Sequence, residues 1–408
     1  MDPCCGDGSR MTPFLTLVLA GFLSRVGYQM ARSPVLPRFA QDLGAAPELI
    51  GIIVAASTVT GVLIKLPAGA LSDVLGRKRM MLLGCLFFAG PPFLYPFVES
   101  PGALLALRFL HGFATAIFSP VASAFVADLF QRDRGEKLGW FASANDLGAT
   151  VGPLAGGLLL FYTASYSMTY LAVGVLGLLP LVMVVRLPDH DARVSTGSTL
   201  AERSRQFWSG IREVLRSRAV LVASTLEAAM YVGYGAFLGF FPTYARGVGL
   251  NDAQIALVMG AQLATTVLAK PLSGRLSDRL GRKPMILAGL FLCAVTLPMI
   301  PASASFWILL PASALFGLGV AIVTPSTTAL VADLVKAGRQ GSAMGVFGTI
   351  WDSGEAAGPI LAGFLIASLS YTPAFGLIAA FMAAMALLFL MMVKDPSLPV
   401  HADGRPTA

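Results

Sequence analysis

Ionisable side chains lie inside long apolar stretches of this chain, among them Asp146, Glu227, Asp352, Glu355, Arg25 and Arg108. Charge in an apolar run is expensive and marks a functional position by default. Burial in a low dielectric disfavours an ionised carboxylate, whereas a nearby guanidinium favours it. A carboxylate exposed in turn to the two sides of a membrane could therefore couple proton movement to the movement of another solute. Asp352 and Glu355 are three residues apart and share a helix face. At about 1.5 Å of rise per residue, the four acids lie about 12–21 Å into their stretches, near a bilayer midplane.

Each charge also has a plainer reading. Asp146 and Asp352 hold near-symmetric places in an internal repeat, so pairing with Arg25 or Arg108 would make them devices that hold helices in register. Glu227 and Glu355 match Gly21 and Ala149 in that repeat, and the lack of duplicate acids favours a chemical role. Ser313 takes the place of Arg108 in the second copy, so symmetry does not account for the arginine. Its alternative is a side chain that snorkels to the outer interface, about six residues from the start of its stretch.

The elements that position these groups follow from composition. The 408 residues are 56% hydrophobic and 12% charged, with a mean hydropathy of +0.74. Soluble proteins carry about 25% charge, so the solvent for this surface is a bilayer. The 43 glycines and 26 prolines suit packed transmembrane helices. Twelve stretches of spanning length occupy roughly 12–32, 48–68, 79–98, 102–127, 137–161, 166–186, 218–242, 252–272, 284–303, 305–332, 341–367 and 372–393. The first is expected to be a spanning helix rather than a cleaved leader. The expected fold is all-α and integral to the membrane: six helices in 1–186, a linker at 187–217, six more in 218–393 and a tail at 394–408.

The net charge of +7 comes from positives in short loops, which points to topology rather than nucleic-acid binding. With both termini in the cytoplasm, the inner loops and tails hold 22 of the 29 Lys and Arg, and the outer loops hold three, Arg32, Arg38 and Arg246. A multi-pass protein of the inner (plasma) membrane, with both ends inside, is the expectation. In the linker, Phe207, Trp208, Ile211, Val214 and Leu215 follow helical spacing with Arg205, Arg212 and Arg216 between them. That pattern suits a helix on the inner membrane surface, with a partner-binding site as the alternative.

Gly69-Ala-Leu-Ser72-Asp73-Val-Leu-Gly76-Arg77-Lys78 recurs as Gly274-Arg-Leu-Ser277-Asp278-Arg-Leu-Gly281-Arg282-Lys283, 205 residues later. Lys65 and Lys270, Pro120 and Pro325, and Val126-Ala-Asp128-Leu and Val331-Ala-Asp333-Leu keep that offset. A one-residue slip then aligns Asp146 with Asp352, and Val26-Gly-Tyr28 with Val232-Gly-Tyr234. A register held this far predicts two six-helix bundles related by an axis along the membrane normal, with movement between them. Glycines at the motif permit close approach and tight turns. Asp73 suits a helix terminus, and Arg77 can reach Asp128, with Asp278, Arg282 and Asp333 as the second copy.

Four cysteines and three scattered histidines form neither a disulfide framework nor a metal site. No phosphate-binding loop, nucleophile elbow or paired metal motif is present, so the chain reads as no enzyme and as needing no cofactor.

With these motifs in place, the chain resembles the major facilitator superfamily of transporters across residues 11–393, in its 12-helix drug:proton antiporter form. G-x-L-S-D-x-L-G-R-K is similar to that family's loop signature, which latches the cytoplasmic ends of the bundles while the protein is open outward. Arg108-Phe-Leu-His111-Gly112 is similar to a family motif whose arginine is linked to proton coupling, with His111 in place of the usual glutamine. Gly148, Gly152-Pro153 and Gly156-Gly157 resemble the antiporter signature; Gly354, Gly358-Pro359 and Gly363 are a weaker echo. Small residues four apart let helices pack backbone to backbone.

The resemblance implies a small-molecule substrate, protons and lipid as partners, a monomer, and a cavity lined by the first, fourth, seventh and tenth helices. Those helices bring Tyr28, Gln29, Phe113, Tyr231, Tyr234 and Phe237, which suit amphipathic or cationic organic compounds. Efflux by proton antiport with alternating access is the expectation. A metabolite or lysolipid transporter, or an uptake symporter, of the same fold is the alternative.

Overall fold

The computed structural model describes residues 7–130, 133–187, 218–334 and 340–392. These form thirteen α-helices and one 3-10 turn, with no strand among the described residues. In chain order they are α1 (Asp7–Arg32), α2 (Val35–Asp42), α3 (Pro47–Leu75), α4 (Arg77–Ala89), the turn Pro91–Phe97, α5 (Pro101–Leu129), α6 (Arg134–Thr163), α7 (Tyr166–Val185), α8 (Arg218–Gly247), α9 (Asp252–Leu280), α10 (Arg282–Met299), α11 (Phe306–Leu334), α12 (Gln340–Leu369) and α13 (Tyr371–Met392). The linker helix expected around Phe207 and Trp208 lies outside the described residues, as does the tail.

Local chemistry sets the helix starts. Proline occupies the first turn of α3 and α5, where a missing N–H is no loss. Ser100 and Ser165 cap α5 and α7, each accepting at 3.2 Å from the backbone N–H three residues on. At α9, Asn251 Oδ1 accepts from Gln254 N at 2.9 Å, and Gln254 Oε1 accepts from Asn251 N at 3.0 Å, a reciprocal capping box.

Two regions differ from expectation. The outer loop after the first stretch is partly helical: α1 ends at Arg32 as expected, and Val35–Asp42 folds as the short helix α2. The third stretch ends as a helix at Ala89, because Pro91, Pro92 and Pro96 remove backbone donors, and it continues as a 3-10 turn. Arg32 and Arg38, expected in an outer loop, are instead buried, and Arg38 on α2 pairs with Asp252 at the start of α9.

Among the described residues, ten helical spans are long and apolar enough to cross a membrane. Helices α6 and α12 are not among them, because Asp146 in one and Asp352 with Glu355 in the other dilute their hydropathy. Large apolar side chains such as Leu268, Phe291, Trp307 and Met391 point outward, as lipid allows.

The chain divides into two compact units. Unit 1 is Met1–Thr196 with Leu250–Gly260; unit 2 is Gly197–Gly249 with Ala261–Ala408. In unit 1, α1 packs on α6 and α7, α3 on α5, and α4 on α5 and α7. Unit 2 repeats the scheme: α8 packs on α12 and α13, and α10 on α11 and α13. The core of unit 1 is built on Phe14, Leu17, Met81, Cys85, Phe118 and Phe125.

Candidate functional site

The two loop motifs fold alike. Gly76 joins α3 to α4 at φ 95°, and Gly281 joins α9 to α10 at φ 96°, conformations that glycine alone adopts without strain. Each glycine N–H closes the preceding helix onto a serine carbonyl, Ser72 at 3.2 Å and Ser277 at 3.1 Å. Arg77 Nε donates to Asp128 Oδ2 at 3.1 Å, and Arg282 Nε to Asp333 Oδ2 at 3.2 Å. Arg77 also donates to Ser72 Oγ, and Arg282 to Ser277 Oγ and Asp278. Lys78 is half-buried beside its arginine, and Lys283 Nζ donates to the Leu390 carbonyl at 2.8 Å.

The aspartates are largely exposed, and ion pairs of that kind contribute only about 0–1 kcal/mol, so their value is positional. The side chain of Asp73 lies outside the described residues. Close approach does not explain Gly69 or Gly274. A Cβ at Gly69 would meet nothing within 4 Å among the described residues, and at Gly274 only Pro325 at 3.8 Å.

Close approach does explain the other glycines. A Cβ at Gly148, Gly152 or Gly156 would fall 2.6–2.7 Å from the carbonyls of Phe22, Val26 and Met30, so α6 lies backbone to backbone on α1. Pro153 is buried within that contact, and a Cβ at Gly157 would meet Ala256 Cβ at 2.4 Å. In unit 2, a Cβ at Gly354 or Gly358 would fall 2.3 Å from the carbonyls of Ala228 and Val232, and one at Gly235 would fall 2.6 Å from the Glu355 carbonyl. The echo on α12 is thus the tighter seam.

Unit 1 buries Arg108 completely. It neither snorkels nor pairs with an acid among the described residues, and its guanidinium carbon sits 4.9 Å over the Tyr28 ring. Within unit 1 the pairing of Arg108 with Asp146 is therefore absent among the described residues, because the side chain turns into an aromatic cluster. Tyr28 packs edge-on to His111 at 5.2 Å, and Tyr95 stacks on Tyr170 at 3.9 Å. The Tyr95 hydroxyl lies 3.2 Å from His111 Nδ1, and Tyr170 donates to the Ala31 carbonyl at 3.3 Å. Tyr95 and Tyr170 escape sequence reading, since one sits in the 3-10 turn and the other on α7. Arg25 is half-buried on α1, one seam contact from Gly148.

Unit 2 buries Glu227 instead. It is 1% exposed, its carboxylate accepts from the Thr327 hydroxyl of α11, and Lys270 of α9 lies within electrostatic range. Asp352 and Glu355 on α12 are buried as well, whereas Asp146 on α6 is half-buried. Elsewhere in unit 2, Gln262 Nε2 donates to Thr266 Oγ1 at 3.1 Å, and Thr266 donates to the Gly317 carbonyl at 2.9 Å, which joins α9 to α11. Gln262, Thr266 and Thr327 are further residues that sequence reading passes over. Hydroxyls in apolar helices usually bond their own backbone, as Thr327 also does to Val323.

Among the aromatic candidates, Tyr231 contacts Tyr234 at 5.6 Å and Trp351 at 4.7 Å. Phe113 stacks on Phe87 at 5.3 Å, and Gln29 is buried on α1. Phe237 is a core residue, fully enclosed and stacked 5.1 Å from Phe241.

The chain is similar to known proteins. An uncharacterized MFS-type transporter of Methanocaldococcus jannaschii is 26% identical over 357 residues, 87% of this chain and 89% of that one. The quinolone resistance protein NorA of Staphylococcus aureus is 23% identical over 336 residues, 81% of this chain and 84% of its own. A crystal structure of a mutant of the nucleoside transporter NupG matches with a TM-score of 0.80 at 14% identity, covering 94% of this chain and all of that one, a likeness of fold. The family model of the Major Facilitator Superfamily matches residues 17–251 and 224–407, and this chain therefore belongs to that family of membrane transporters.

Proposed function

We propose that the chain exports small amphipathic or cationic organic compounds in exchange for protons, with Glu227 as the principal proton-carrying group. The carrying observation is the environment of Glu227: an enclosed carboxylate with one hydroxyl donor and a lysine in electrostatic range. Protonation of such a group changes the charge balance of its helix bundle, which is the differential energy an alternating-access cycle needs. Asp352 and Glu355, on the helix seamed to that of Glu227, are the second acids of the relay, and Asp146 is the third. The likeness to NorA supports drug-type cargo, and Tyr28, Gln29, Phe113, Tyr231 and Tyr234 are the candidate contacts for it.

The paired hinges act as the cytoplasmic latch, Arg77–Asp128 in one unit and Arg282–Asp333 in the other. The protein works as a monomer in the inner membrane with both ends in the cytoplasm.

The test uses proteoliposomes carrying a preset pH gradient and a trapped pH-sensitive dye. Lipophilic cations such as ethidium should dissipate the gradient with the wild type, and Glu227→Gln should abolish that response while retaining drug binding. Full coupling in Glu227→Gln would overturn the assignment, and cargo flux insensitive to the gradient would overturn antiport.

A further inference from the structure

The Arg108 cluster of unit 1 has chemistry that proton exchange at Glu227 does not use. Arg108 is fully enclosed, and its Nε, Nη1 and Nη2 all lack a hydrogen-bond partner among the described residues. His111 Nε2 is buried and unpartnered in the same sense, and the buried Ser57 hydroxyl has the Tyr28 hydroxyl as its neighbour. The charges acting on the surrounding Tyr28, Tyr95, His111 and Tyr170 come from Arg108, Arg32 and the tyrosines themselves; no carboxylate is among them. Among the described residues, what offsets the charge of Arg108 is the Tyr28 ring face at 4.9 Å and the neutral hydroxyl of Tyr95 beside it. A ring face returns about 0.5–2 kcal/mol to a cation, whereas withdrawing an ion from water costs several.

We propose that Arg108, with His111 and Ser57, binds an anionic group, either the carboxylate of an organic compound or free chloride. A guanidinium offers a planar fork of donors that matches a carboxylate edge. The His111 tautomer that accepts from Tyr95 at Nδ1 carries its hydrogen on Nε2, a further donor. The Ser57 hydroxyl rotates to donate a third way. Arg32, within electrostatic range of Tyr28, adds to the positive field of the cluster. Ser313 replaces Arg108 in the second copy, so the site belongs to unit 1 alone. This assignment goes beyond the transport reading, and binding in detergent needs no gradient, so its failure leaves antiport untouched.

The test is chloride binding to the purified full chain in detergent, read by the chloride NMR linewidth in a gluconate buffer, with labelled benzoate as the carboxylate probe. The wild type should show saturable broadening or saturable benzoate binding. Arg108→Gln should weaken it by about tenfold or more, the loss of a charge-assisted contact. Ser57→Ala should weaken it about three- to fivefold at an unchanged melting temperature, as one neutral hydrogen bond is lost. Benzoate that binds and is displaced by chloride identifies a carboxylate site, and chloride that binds while benzoate does not identifies a halide site. Absence of both in the wild type overturns the proposal, as does affinity unchanged in Arg108→Gln. Should that variant not fold, unchanged affinity in both Ser57→Ala and His111→Gln overturns it equally.

Discussion

Unit 1 buries the Arg108 guanidinium with no carboxylate partner among the described residues, and unit 2 buries the Glu227 carboxylate with a hydroxyl donor and a lysine in electrostatic range. Around these opposite centres the mechanical parts scarcely differ. The hinge glycines sit at φ 95° and 96°, and the hinge arginines reach their aspartates at 3.1 and 3.2 Å. Duplication has kept the joints and seams, where geometry admits little choice, and has let the buried chemistry diverge. A hinge needs a positive-φ residue wherever it occurs, whereas a charge inside a bundle is useful only if the two bundles do different things with it.

The sharpest way to break that comparison is at the seams, which should be equally demanding. Gly358→Val and Gly152→Val each drive a side chain into a carbonyl, at 2.3 and 2.7 Å for the Cβ alone. Both should abolish folded protein in size-exclusion chromatography, while Gly102→Ala, with nothing within 4 Å, should be silent. Survival of one seam variant would mean that the two bundles are not built alike. Next comes the chemistry of unit 2. Thr327→Val leaves Glu227 without its hydroxyl donor and should slow gradient-driven export about tenfold, with normal yield, because one hydrogen bond to a buried charge is worth about 1.5–3 kcal/mol.

At the hinges, Gly76→Ala and Gly281→Ala should each lower stability by about 1–3 kcal/mol, the strain of a side chain in that conformation. Gly69→Ala should stay within about 0.5 kcal/mol, as surface changes do. Smallest is the latch: Arg77→Ala and Arg282→Ala should each shift the melting midpoint by the equivalent of at most about 1 kcal/mol. Transport rates of the two should fall by the same factor. A rate lost in only one would show that a single hinge does the latching.

Much of this was legible in the chain. The hinges could be read because their parts lie within ten residues, and the repeat supplied the distant partners Asp128 and Asp333 as a pair. Burial of Glu227, Asp352 and Glu355 followed from their place in apolar runs. The surroundings of Arg108 could not be read. Tyr95 comes from a turn that proline chemistry made out of an apparent helix, and Tyr170 comes from α7, so spacing along the chain carries no trace of the cluster. The strength of a motif also misled. The full glycine pattern of α6 and its partial echo on α12 differ in sequence, yet the echo makes the nearer backbone contact. One missing glycine in a pattern says little about the distance between two helix axes.

The seam of α8 with α12 carries one consequence further. Glu227 precedes Ala228, whose carbonyl touches Gly354, and Glu355 lies between Gly354 and Gly358. The two acids are therefore carried on one closely packed helix pair, and any motion that keeps this seam intact moves them together, as one body.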